Sequence, residues 1–129
     1  ARRDEPSLAL MKSLAAEFRT SLLAAATQFI HYTKEPCALF VTVAGKRAWF
    51  RKSKTFDFTI YREAPHGYSV AGEILKGAYA SSEKFLRVPA GAWLQEFDPK
   101  LGKEEIMEDS ALFKGLDMIV SILWVRDEI

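Results

Sequence analysis

The stretch from Pro36 to Tyr61 constrains this chain most, because its composition favours extended structure almost throughout. Cys37 to Val43 is dense in β-branched and aromatic residues, Ala44-Gly45 is a turn signal, and Arg47 to Lys52 forms a second run. Phe56, Phe58 and Ile60 then alternate with Asp57 and Thr59, which directs one side of a third strand to a core and the other to water. The segment predicts three antiparallel strands in a half-solvated sheet.

Two helices are expected before it. Ser7 is a plausible N-cap, and Leu8, Met11, Ala15 and Phe18 recur at the spacing of one apolar helical face. Arg19-Thr20-Ser21 interrupts the pattern. Thr20 or Ser21 can cap a second helix whose apolar face is Leu22, Ala26, Phe29 and Ile30, closed by Pro36. The outline is that of a helix-turn-helix. Its second helix offers only Thr27 and Gln28 as polar groups between Leu22 and Phe29, so a hairpin that packs against a neighbour competes with a DNA reader.

Beyond Tyr61, the Pro65-His66-Gly67 stretch marks a loop, and Ser69 to Gly77 reads as a short helix. Ser69 caps it, Val70, Ile74 and Leu75 point inward, and Gly77 stops it. Phe85 to Pro89 and Ala92 to Phe97 read as one strand interrupted at Pro89-Ala90-Gly91, and Asp98 to Lys103 as a turn. Ile106 to Phe113 and Leu116 to Arg126 form a final pair of strands around Lys114-Gly115. The last is the most apolar run, with Leu116, Met118, Val120, Ile122 and Trp124 on one side and Ile119, Leu123 and Val125 on the other. It should be central. The fold class is therefore α+β: an N-terminal helical hairpin over residues 1–35, then a GAF- or PAS-like antiparallel sheet with a crossing helix over residues 36–129.

Eighteen basic against seventeen acidic residues leave a formal charge of +1, so nucleic acid or acidic lipid could be attracted only by a local patch. The longest apolar runs fall short of a membrane span, and the single cysteine, Cys37, cannot form an internal disulfide. These features predict a soluble protein of the reducing cytoplasm with Cys37 as a core thiol, and no membrane partner. The first residue is Ala1 rather than Met, as after removal of an initiator Met or in a piece of a longer chain.

Two places could carry function. Lys46, Arg47, Arg51, Lys52 and Lys54, interleaved with Trp49 and Phe50, form a basic aromatic ribbon of the kind that grips a nucleic-acid backbone. The plain alternative is a solvated hairpin tip whose charges guard an edge strand. Phe58, Tyr61 and Trp93 could line a small-molecule pocket between the sheet and the helix at Val70–Lys76, or simply be core. His31 and His66 lack companions at zinc-ligand spacing, and no phosphate loop or nucleophile elbow is visible. The chain itself is not expected to be an enzyme, and no cofactor is expected in it.

Leu14-Ala-Ala-Glu-Phe-Arg-Thr-Ser-Leu-Leu-Ala-Ala-Ala-Thr-Gln-Phe, Glu35-Pro-Cys-Ala-Leu, Trp49-Phe-Arg-Lys-Ser, Val88-Pro-Ala-Gly-Ala-Trp-Leu and Leu123-Trp124 together resemble the region downstream of the peptidase core in ImmA/IrrE-type metallopeptidases. The resemblance spans nearly the whole chain and implies a helix-turn-helix-like segment followed by a GAF-like domain. It implies a parent that cleaves a transcriptional repressor under stress, with this region sensing a signal or positioning the repressor. Zinc would then belong to an upstream peptidase domain lying before Ala1. The implied partners are that domain, the repressor and a small-molecule signal, with DNA or a second copy of the chain as alternatives. Arg19 stands where such a turn commonly has glycine.

Overall fold

The computed structural model describes residues 5–62, 64, 65, 67, 69–95 and 105–125. The order of elements is α1 (Leu8–Glu17), α2 (Leu22–Tyr32), β1 (Cys37–Val43), β2 (Lys46–Lys52), α3 (Val70–Leu75), β3 (Leu86–Pro89), β4 (Glu105–Phe113) and β5 (Met118–Trp124). The strands form one five-stranded antiparallel sheet in the order β2-β1-β5-β4-β3. The most apolar strand is therefore the middle one.

Local chemistry accounts for the element ends. Ser7, Ser21 and Ser69 each sit in extended backbone and accept from the N–H three residues on, at Leu10, Ala24 and Gly72. Gly77 ends the α3 region at φ 86°, a conformation open to glycine. Ala44 and Gly45 make the two-residue turn between β1 and β2 at φ 52° and 78°, matching the twist of the hairpin. Arg19 does without glycine in the α1–α2 turn, at φ 52°.

The sheet is covered on both faces, which corrects the expectation of a solvated side. Leu8, Met11, Ala26 and Ile30 pack on Cys37, Leu39, Val41, Val120, Ile122 and Trp124. On the opposite face Ala38, Phe40, Ile119 and Leu123 meet Val70, Ala71, Ile74, Phe56, Ile60, Trp93 and Leu94. The alternation at residues 56–60 is real in burial, but it belongs to a segment lying across the sheet rather than within it. Phe56 and Ile60 turn inward, Asp57 and Thr59 outward, and among the described residues the segment's ladder contact is an isolated bridge from Ile60 to Leu94.

Likewise Ala92 and its neighbours do not continue β3. Ala90–Ala92 is a 3-10 turn that drops Trp93 and Leu94 into the core, and Glu96 to Lys103 lies outside the described residues. Three residues expected inside are exposed: Phe18 (67%), Leu75 (46%) and Leu116 (66%). Each stands where its element ends, so the period that predicted its direction no longer applies: Phe18 caps α1, Leu75 closes α3, and Leu116 lies in the 3-10 turn before β5.

Candidate functional site

Adjacent acids on β4 organise the interior. Glu108 and Asp109 point to opposite faces of the sheet, and each receives the N-terminus of the helix on its own face. The Val70 and Ala71 N–H groups of α3 donate to Glu108 Oε1 and Oε2 at 2.9 and 2.8 Å, and the Trp93 indole N–H donates to Oε1 at 2.7 Å. Ser110 Oγ lies 2.6 Å from Oε2 and 2.7 Å from Ser121 Oγ. Asp109 Oδ2 accepts from the Leu8 N–H of α1 at 2.9 Å, and Oδ1 accepts from Ser82 Oγ at 3.0 Å.

Helix ends leave their first N–H groups without internal partners, and the partial positive charge there favours an anion. In both helices the N-cap serine takes the third of these donors while β4 takes the first. Glu108 has no solvent exposure. Burial pushes its carboxyl up from the usual range, opposed by the donors from Ser110, Trp93, Val70 and Ala71. The sequence reading missed both acids; the signal was a pair of adjacent carboxylates in the middle of an apolar strand pattern.

Trp93, one of the three candidate pocket residues, is enclosed, with Phe40 edge-on at 4.9 Å. Tyr61 joins it through the backbone, its N–H donating to Trp93 O at 3.0 Å. Phe58 stands apart, edge-on to Phe56 at 5.5 Å and half-buried. Both Phe58 and Tyr61 pack against the core cluster that contains Trp93.

The cations predicted at 46–54 are strung along the outer edge of the sheet on both faces, not gathered at the hairpin tip. The register pairs Arg47 with Thr42, Phe50 with Phe40 and Lys52 with Ala38, and on the other face Lys46 with Val43, Trp49 with Val41 and Arg51 with Leu39. Ala48 is the extra residue of a bulge between these stretches. The Arg47 guanidinium lies over the Phe50 ring at 4.9 Å and the Phe40 ring at 5.7 Å, and Arg51 lies over Trp49 at 5.2 Å. Arg47 donates to Arg62 O at 3.0 Å and Lys52 to Phe58 O at 2.7 Å, and Lys54 is exposed just past the strand. Arg87 and Glu105 form an ion pair at 3.8 Å on the opposite edge of the sheet.

A further feature was not foreseen: an open apolar groove of about 680 Å³ between α1 and α2. Leu14, Phe18, Ala25, Phe29 and Tyr32 supply its apolar walls, and Thr20, Gln28 and Thr33 its polar ones. Phe18 and Tyr32 are 67% and 68% exposed. The signal for it was an apolar arc on α2 too wide for one buried face, since Ala25, Phe29 and Tyr32 continue the spacing beside Leu22, Ala26 and Ile30. Thr27 is half-buried, and Gln28 faces this groove.

Cys37 is buried, and burial together with the charge of Glu35 pushes its thiol up to about 12, against a hydrogen bond with Ser53. It is a packing residue with little thiolate to react. His31 is exposed, edge-on to Tyr32 at 4.6 Å; His66 lies outside the described residues. Among the described residues no three His, Cys, Asp or Glu side chains converge as metal ligands would, and no helix is long and apolar enough to cross a membrane. No protein-family model matches the chain, and no curated protein is significantly similar to it.

Proposed function

We propose that this chain is a non-catalytic regulatory domain that acts by contact, controlling an ImmA/IrrE-type zinc peptidase in the reducing cytoplasm. On this reading the helical hairpin is its recognition element and the GAF/PAS-like sheet its scaffold. The observation that carries the reading is the groove between α1 and α2, with two exposed aromatic side chains at its walls. Its size is that of sites that take a small molecule or one apolar face of a helix, about 300–1,000 Å³ for ligand pockets. The function that follows is to seat an apolar segment of the repressor for cleavage upstream. The hairpin–crossing helix–hairpin order supports the finer GAF/PAS-like description.

The test has two parts. The coding sequence ahead of Ala1 is expected to contain His-Glu-x-x-His; a sequence without it overturns the peptidase assignment. In the longer protein, the double substitution Phe18→Ser with Tyr32→Ser is expected to abolish repressor cleavage while leaving thermal unfolding unchanged, because both side chains already face water. Undiminished cleavage by that variant sinks the groove.

A further inference from the structure

We infer that the outer edge of β2 is a docking strand for an extended acidic peptide, which adds to the sheet beside Lys46–Lys52. This surface is separate from the helical groove and does not rest on the peptidase reading. Strand β2 is the last in the sheet, and among the described residues its outer backbone groups meet no backbone partner. The Phe50 carbonyl is instead met by the Arg51 side chain at 3.0 Å. An unpaired edge supplies main-chain hydrogen bonds to any extended segment, and the side chains that flank it choose which segment.

Here the flanking side chains are cations with their stems braced on aromatic rings, Arg47 over Phe50 and Arg51 over Trp49. Directly opposite residues on paired strands interact when oppositely charged and repel when alike. A second copy of β2 would place cation against cation, so the edge rejects itself. A strand with two carboxylates, three spacers and two carboxylates would place a negative charge beside Lys46, Arg47, Arg51 and Lys52. Because that pattern is symmetric, it fits in either strand direction. Stacking of nucleic-acid bases is disfavoured, since Trp49 and Phe50 are half-buried and the guanidiniums already cover their faces.

The test is fluorescence anisotropy with a labelled Glu-Glu-Val-Thr-Val-Glu-Glu peptide, its termini blocked, against the whole chain. Saturable binding is expected that weakens with added salt. Methylating alternate peptide nitrogens, which keeps every charge but removes strand pairing, is expected to weaken binding by about tenfold or more, and so is the double change Arg47→Glu with Arg51→Glu. Circular dichroism of the double variant checks that the fold is retained. Absent binding, or equal binding of the methylated peptide, overturns strand addition. Tighter binding of an oligothymidylate of the same charge would replace the inference with a nucleic-acid interface.

Discussion

Charge is handled in opposite ways at the middle and at the edge of the sheet. On β4 the carboxylates of Glu108 and Asp109 are buried, and their oxygens are met by helix N–H groups, an indole and serine hydroxyls. On β2 the cations are exposed, with Arg47, Arg51 and Lys52 lying over aromatic rings or donating to backbone carbonyls. The first arrangement joins one strand to helices on both faces and leaves little capacity for an outside ligand. The second is anchored through aromatic rings and carbonyl oxygens at the surface. The interior acids tie the helices to the sheet, while the edge cations sit at its surface.

The contrast is broken most severely at Glu108. Glu108→Ala leaves the Val70, Ala71 and Trp93 donors buried without an acceptor, each at about 1–3 kcal/mol when isolated, so an overall loss on the order of 3–5 kcal/mol in urea unfolding is expected. Asp109→Ala should cost less, about 1–3 kcal/mol, because Ser7 still caps α1 and Ser82 is less buried. The two variants also differ in place. Hydrogen exchange should quicken first in α3 for Glu108→Ala and first in α1 for Asp109→Ala; identical patterns would mean that the acids do not serve separate faces.

A third effect depends on pH. Glu108 is pushed up in the folded chain, so the folded state holds more protons than the unfolded state between the two titration points. Its contribution is fully present below the unfolded value of about 4.3 and is lost as pH rises through the folded one. Stability measured upward from about pH 4 should carry a falling component from this residue, and Glu108→Gln, which cannot titrate, should flatten it. An unchanged profile would show that the donors hold the carboxylate ionised despite its burial.

These effects also mark where local sequence stops being informative. The caps at Ser7 and Ser69 were legible, and Ser21 was one of two candidates with Thr20, because each accepts from an N–H only three residues away. The two faces of β5 were legible because alternation is a property of the strand itself. Asp109 and Leu8 are separated by 101 positions and Glu108 and Val70 by 38, so nothing near either acid announced a helix end. Residues 56–60 misled for a related reason: a segment that covers a sheet and a strand within it bury alternate side chains alike, and only the ladder partner separates them. The groove was hidden by the end of α1, since Phe18 was projected along a helix that had already stopped.

The smallest effect separates the cations from one another. Arg47 rests on two rings and donates to Arg62 O, whereas Arg51 rests on one ring and donates to the carbonyl of its own neighbour, Phe50. Exposed contacts between a cation and a ring contribute about 0.5–1 kcal/mol. Arg47→Ala should therefore lower stability by roughly that amount, and Arg51→Ala by less than about 0.5 kcal/mol, since water readily replaces an exposed contact with an adjacent carbonyl. Comparing the two by urea unfolding tests whether the edge is separable from the fold. If Arg51→Ala were as damaging as Asp109→Ala, the guanidinium would be part of the architecture, and a peptide could not recruit it without unsettling the strand it joins.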